Sequence, residues 1–262
     1  MAVTFQSIRS GSSANCLLLR NGETVLLIDV GFPTQRECRA ALEPVLPAVG
    51  GILISHLHGD HVHYSALRVL DGWRTPVYIH ESDVEELAAR HFRGRAFRGL
   101  DVRPFSDAPF QIGAFTIRPF EVPHYPARST FGFDIRCASN GRMQKVVIAS
   151  DLADWFALEP WFADADFIYV EANHDPHLLE LRWNPNSCYH LSNGECGRLL
   201  RGAFEHSESL PRAVMLGHLS DERNEPSLAT HTVWEILDDA GFGGVEIHVA
   251  PASEPSEPIH VA

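Results

Sequence analysis

Short apolar runs recur along the chain, separated by polar and turn-forming residues. The runs Val25 to Ile28, Gly51 to Ile54, Val77 to Ile79, Phe115 to Ile117, Val146 to Ala149, Phe167 to Val170, Val214 to Leu216 and Val245 to Val249 have strand length, and turn signals bound them. Between them, apolar positions three and four apart predict amphipathic helices over Thr34 to Leu42, Ser65 to Leu70, Asp83 to Ala89, Asn193 to Phe204 and Ser227 to Asp239. A glycine just past the end of a helix is a common stop, and Gly241 stands in that place after the last of these helices. Strand-length runs alternating with helical ones predict an α/β architecture. No internal repeat breaks this order. The stretch Pro251 to Pro258 is rich in proline and glutamate, which predicts an extended or frayed tail over 251–262 after a single domain over 1–250.

Composition narrows the classes. With 262 residues, 45% of them hydrophobic, the chain is long enough for a sizeable core. It lacks the roughly 18 consecutive apolar residues of a membrane span, and its first residues lack the basic and apolar regions of a signal peptide. The five cysteines are scattered, with no CxxC pair, so a disulfide framework or zinc ribbon is not indicated and a reducing cytoplasm fits best. A formal net charge of −13 argues against a broadly basic face for polyanions, so contact with nucleic acid has to be local or metal-assisted. Nothing points to a membrane or to an obligate protein partner.

The 15 histidines carry more information, through their positions. Three of them fall in the run His56-Leu57-His58-Gly59-Asp60-His61, a spacing that this histidine content produces by chance about 0.05 times per chain. The run follows the predicted strand Gly51 to Ile54. A ligand loop therefore begins where a rigid element ends, with the alternate residues His56, His58 and Asp60 able to point one way and His61 able to serve a second ion. The arrangement repeats: Phe115 to Val122 leads to His124, Val146 to Ala149 to Asp151, and Ala213 to Leu216 to His218. Taken singly, each of these three is equally a turn or cap residue; the first motif draws them together, because strands ending on one sheet edge bring the residues that follow to one place. Asp29, before Gly31, reads as a structural turn residue and is left out of the ligand set.

With those residues in place, the sequence resembles the metallo-β-lactamase superfamily, and more narrowly its YycJ/WalJ nuclease-like group. The motifs that carry the resemblance are Gly11-Ser12-Ser13-Ala14-Asn15-Cys16, Leu27-Ile28-Asp29-Val30-Gly31, Ser55 to His61, Ser150-Asp151-Leu152, Glu171-Ala172-Asn173-His174-Asp175, His190-Leu191-Ser192-Asn193 and Gly217-His218-Leu219-Ser220. It departs from the group at Ala14, where relatives usually carry glycine, and at Tyr125-Pro126-Ala127. The resemblance implies a four-layer αββα sandwich and two divalent cations, zinc, manganese or iron. His56, His58 and His124 would hold one ion, Asp60, His61 and His218 the other, and Asp151 would bridge them. Such a pair of cations lowers the pKa of a water and presents hydroxide to phosphorus or a carbonyl carbon. Asp60 would orient that water and accept its proton, while His174, His190 or Asn224 would contact substrate or protonate a leaving group. His174 and His190 are equally readable as partners that fix a ligand's tautomer.

The resemblance implies phosphodiester hydrolysis of DNA or RNA. The segment Arg90 to Arg98 interleaves cations with aromatics in a way that could hold phosphates and stack bases, although a solvated arginine loop is the plainer reading. The other readings are hydrolysis of a small cyclic phosphodiester, lactone or thioester, and a non-catalytic metal-binding or dinuclear redox protein.

Overall fold

The runs Val25 to Ile28, Val146 to Ala149, Phe167 to Val170 and Val214 to Leu216 are strands buried on both faces. A computed structural model describes residues 2–91, 99–125 and 129–261. One sheet contains β1 (Val3–Arg9), β2 (Cys16–Asn21), β3 (Thr24–Ile28), β4 (Val49–Leu53), β5 (Pro76–His80) and β6 (Asp101–Phe105). A second contains β7 (Phe110–Ile112), β8 (Phe115–Glu121), β9 (Phe131–Ser139), β10 (Arg142–Ala149), β11 (Phe167–Glu171), β12 (Ala213–Gly217) and β13 (Glu246–Val249), and β14 (Ile259–His260) returns to the first sheet beside β1. Strands β3 to β6 run parallel, and so do β10 to β13. Parallel neighbours need crossovers. In the first sheet these contain α1 (Gln35–Leu42), α2 (Tyr64–Trp73) and α3 (Val84–His91); in the second, α4 (Glu159–Phe162), α5 (Pro176–Leu181), α6 (Asn193–Glu205) and α7 (Pro226–Asp239).

The period of two along each strand divides its side chains between two apolar layers. From β3, Val25 and Leu27 pack with Leu42 of α1 and with Leu67 and Leu70 of α2, whereas Leu26 and Ile28 meet Phe115, Phe133 and Tyr169 between the sheets. From β11, Phe167 and Tyr169 face that central layer while Ile168 and Val170 pack against Leu199 of α6 and Val233 of α7. Each such side chain contributes about 1.5–3 kcal/mol by burial. Three apolar layers separate four structural ones, giving the αββα order.

All eight predicted strands and all five predicted helices form, with bounds shifted by a few residues. Thr34 caps α1 through its side chain, and Gly241, at φ +85°, ends α7 in a left-handed conformation that costs glycine nothing. The pattern did not predict β1, β2, β6, β7, β9, β14, α4 or α5. In β9 the run is interrupted by Asp134, buried and held by Arg136 at 3.0 Å, and α4 is a single turn, too short to show a period. After β13, the Ser256 N–H donates to Ser7 O at 2.8 Å, β14 pairs with β1, and Val261 is buried.

The parallel strands point their carboxyl ends toward one edge of the sandwich. There Asp29, Asp151 and His218, just beyond β3, β10 and β12, adopt positive φ of 62°, 61° and 53°. Non-glycine residues in this region cost on the order of 1–3 kcal/mol and persist where the surroundings fix them.

Candidate metal centre

The His56-to-His61 segment is folded tightly onto the edge by its backbone. His58 O accepts from the N–H groups of His61 and Val62 at 3.0 and 2.9 Å, and the loop is pinned to its neighbours by Asn15 N–H to Asp60 O and Val30 N–H to His61 O, both 2.7 Å. Gly31 makes this approach possible, since a Cβ at that position would lie 1.7 Å from Asp60 O. We expect Gly31→Ala to displace Asp60, destabilise the protein by about 1–3 kcal/mol as an overpacking change, and weaken metal binding. Thermal melting and metal titration of this variant are the check, and a wild-type value in both contradicts the packing argument.

Each of three imidazoles has its Nδ1 tied down from behind. Asp29 Oδ2 lies 2.7 Å from His61 Nδ1, Glu171 Oε2 lies 3.2 Å from His218 Nδ1, and the Tyr189 carbonyl lies 3.1 Å from His124 Nδ1. This fixes the tautomer and leaves Nε2 of each ring for the interior, the arrangement that metal-binding histidines require. The three Nε2 atoms gather around one carboxylate. Asp151 Oδ2 is 2.9 Å from His61 Nε2, and Asp151 Oδ1 is 3.6 and 3.8 Å from His124 and His218 Nε2. Asp60 Oδ2 joins from the other side, 3.3 Å from His218 Nε2 and 3.4 Å from His61 Nε2.

The donor set fits divalent cations. Ligand-capable atoms lie within 4.8 Å of one another in three groups: His56, His58, His124 and Asp151; Asp60, His61 and His218; and Asp151, Glu171, His190 and His218. His56 Nε2 is buried without a hydrogen-bond partner among the described residues, and His58 Nδ1 meets His124 Nε2 at 3.1 Å, nitrogen to nitrogen. A cation accepting both lone pairs resolves such a contact.

The electrostatics agree. Burial lowers the pKa values of His56, His58 and His124, so these rings are neutral and free to ligate. Burial opposes protonation of His61 and His218 too, but there the carboxylates prevail: Asp151, Asp60 and Asp29 hold His61 well above its usual value, and Asp151 with Asp60 and Glu171 pushes His218 up to about 10. Burial would likewise raise Asp151, yet His218 and His61 hold it well below the carboxylate range. The carboxylates thus demand positive charge at this point, and divalent ions supply it more fully than protons do.

A cavity of about 410 Å3 opens onto the cluster. Its walls include His58, Asp60, His124, Asp151, His190 and His218, and beyond them neutral polar side chains, Tyr125, Tyr189 and Arg223.

Residues 24–218 match the family model described as a beta-lactamase superfamily domain. The chain belongs to this superfamily. Two bacterial relatives of this metallo-β-lactamase-fold chain align over nearly their whole lengths: a protein named exodeoxyribonuclease YycJ from Bacillus anthracis is 26% identical, covering 100% of this chain and 99% of its own, and one named exodeoxyribonuclease WalJ from Streptococcus pneumoniae is 24% identical, covering 95% and 94%. Solved structures share the metallo-β-lactamase fold. YhfI from Bacillus subtilis superposes with a TM-score of 0.71 at 19% identity, covering 98% of this chain and 99% of that one. Yeast PDE1 gives 0.72 at 13%, covering 97% and 99%, and the short form of human tRNase Z gives 0.68 at 15%, covering 99% of both.

The structure brings His56, His58, Asp60, His61, His124, Asp151 and His218 to one point and puts His190 on the cavity wall. Two other expected contacts, His174 and Asn224, are not among the residues that line the cavity. His174 is buried, and its backbone bridges to Ser192. Asn224 is also buried off the cavity, and its amide is used up internally, donating to Ala172 O and exchanging hydrogen bonds with Asn193. Three supporting side chains went unrecognised in the sequence. Glu171 accepts from the Leu152 and Leu191 N–H groups at 2.6 and 3.0 Å while contacting His190 and His218; Asn15 reaches Asp60 and His61; and Asp29, a turn residue as expected, also orients His61. Glu171 ends the apolar run Phe167 to Val170, so the strand-end rule that found Asp151 and His218 would have found it. Residues 92–98 of the arginine-aromatic segment, and Pro126 and Ala127, lie outside the described residues.

Proposed function

We propose that the chain is a dinuclear metal-dependent phosphodiesterase that acts on nucleic acid, DNA first, in the cytoplasm. The observation that carries this reading is the convergence of His61, His124 and His218, each held from behind, on Asp151 at the floor of an open cavity. Relatives named exodeoxyribonuclease that align end to end support the choice of substrate. One ion is assigned to His56, His58 and His124, the second to Asp60, His61 and His218, with Asp151 shared. A set of imidazoles and carboxylates accepts zinc, manganese or iron according to geometry and supply. Residues 1–250 act as the hydrolase unit, and 251–262 add an edge strand to it.

Bound cations of this kind activate water and stabilise the charge that develops on a phosphoryl oxygen. Asp60, partly open to the cavity, orients the attacking water and takes its proton. His190 lines the same cavity with Nδ1 against Glu171 at 3.1 Å, which leaves Nε2 to donate to the departing oxygen. The aromatic rims fit a base: Tyr125, 64% exposed, and Tyr189 lie 6.5 Å apart on the cavity wall. Base stacking is worth about 1–3 kcal/mol, so Tyr125→Ala should raise KM for single-stranded DNA at least fivefold more than KM for bis-p-nitrophenyl phosphate. Equal changes on both substrates contradict a stacking role.

A second reading is supported by the formal charge of −13: an acidic surface suits a small substrate better than a polymer. The experiment that decides is to strip the protein with chelator, reload it with each metal and measure turnover of single-stranded DNA, RNA, bis-p-nitrophenyl phosphate, a lactone and a thioester. Nucleic-acid cleavage at background alongside rapid turnover of a small substrate rejects the nuclease reading; metal-loaded protein inert on all five leaves the non-catalytic or redox reading.

A further inference from the structure

Resting on the phosphodiesterase reading, we infer that the end of the cavity formed by Arg223, Ser220 and Ser12 is a second phosphate subsite, which binds the phosphate adjacent to the one being cleaved. Arg223 is the one arginine or lysine on the cavity wall among the described residues, in a chain of strongly negative charge. It lies in the loop after β12 that begins with His218, and its Nη1 faces Ser220 of the same loop, whereas Tyr189 adjoins His124 and pairs with Tyr125.

The guanidinium is placed rather than free. Arg223 Nε donates to the Arg182 carbonyl at 2.7 Å, and the backbone at Arg223 accepts from Asp175 N–H at 2.8 Å, which ties the residue to both ends of α5. Its Nη2 contacts Glu222 Oε2 at 2.8 Å, but that carboxylate is 66% exposed, and solvent-screened pairs of this kind contribute little. Among the described residues Nη1 has only the Ser220 hydroxyl, at 3.5 Å. A phosphate can therefore recruit Nη1 and replace Glu222 at Nη2 without breaking the Nε anchor, a two-pronged contact for which a guanidinium is shaped. Ser220 and the exposed Ser12 line the same cavity, with Ser10 tying the Ser12 segment to this loop by accepting from His218 N–H at 2.8 Å, and they add hydroxyl donors.

The cavity size agrees. About 410 Å3 lies within the roughly 300–1,000 Å3 of small-molecule sites, more than a lone phosphoryl group fills and suited to a nucleotide with a phosphate on either side. Substrate would then run from an aromatic rim near His124, across the metal ligands, to the Arg223 end. A terminal phosphate seated on Arg223 would set which end of a strand is cut.

The test compares wild-type, R223A, R223K and R223Q holoenzymes, each checked for metal content and melting temperature. Thymidine monophosphate and thymidine 3′,5′-bisphosphate are titrated as inhibitors of bis-p-nitrophenyl phosphate hydrolysis, and TpT, pTpT and TpTp are assayed as substrates. We expect the bisphosphate to inhibit wild type at least tenfold more tightly than the monophosphate, with that advantage lost in R223A and R223Q and part recovered in R223K. The salt dependence of bisphosphate binding should fall by about one in slope, and R223A should lose at least tenfold more kcat/KM on pTpT or TpTp than on TpT. The subsite is overturned if the bisphosphate has no advantage in wild type, or if the advantage survives in a folded, metal-loaded R223A. If wild type cleaves none of the dinucleotides while the Arg223-dependent advantage holds, the subsite stands and the nuclease reading is what fails.

Discussion

Asp151→Ala is expected to lose bound metal and to cut hydrolysis by at least 10³-fold while keeping the fold. The carboxylate belongs to two of the three ligand groups and approaches four imidazoles, so its loss should disrupt both proposed ion sites at once. A factor of 10³ corresponds to about 4 kcal/mol of transition-state stabilisation, a modest share of what paired cations supply. His58→Ala removes one ligand of the first group and should lose that ion with most of the activity. The fold should persist because neither side chain belongs to the three apolar layers. Elemental analysis, circular dichroism and turnover on bis-p-nitrophenyl phosphate decide the matter: full metal occupancy with unchanged turnover in both variants removes the mechanism.

Glu171 gives the second large effect, and its two substitutions should separate position from charge. The side chain is fully buried, accepts two backbone N–H groups through Oε1 and holds His190 and His218 through Oε2. Burial would raise its pKa, but His190 first and then the hydrogen bonds from His190 and His218 bring it down to about 2, so it is anionic. Glu171→Ala strands two N–H donors and two imidazoles in the interior, and breaking a buried pair of this kind costs about 3–5 kcal/mol. Melting should drop by roughly 6–20 °C for a chain of this size. Glu171→Gln keeps an oxygen for the backbone donors and loses the charge behind His218; it should melt close to wild type yet bind metal about 10–100-fold more weakly, the usual effect of altering a group that orients a metal-bound histidine. Equal metal affinity in Glu171→Gln and wild type would show that Glu171 serves the fold alone.

These two residues also show how much of the site could be read in advance. Asp151 and His218 were recognisable because each follows an apolar run of strand length, and strands that share an edge deliver such residues together. Glu171 obeys the same rule, one residue past the predicted run, but its partners are 19 and 47 positions away, so the strand end is its one signal and no motif spacing marks it. His174 and Asn224 show the converse. Their neighbours in the chain belong to motifs of the site, yet a side chain's direction depends on packing, and both turn into the protein behind the cavity wall. Arg223 carries no signal in the sequence at all; it becomes conspicuous only when the cavity's other walls are seen to be without a second arginine or lysine among the described residues.

Periodicity and motif spacing are local properties of a chain. The order of residues was therefore enough to specify the alternation of strands and helices, the clustered His56-to-His61 motif and the three distant residues that the fold brings beside it. Which carboxylates stand behind which imidazoles, which face of each loop meets solvent, and where a cation lines the cavity were settled in three dimensions. Those features depend on the meeting of two sheet edges, and contacts between segments far apart in sequence leave no imprint on the order of residues within either one.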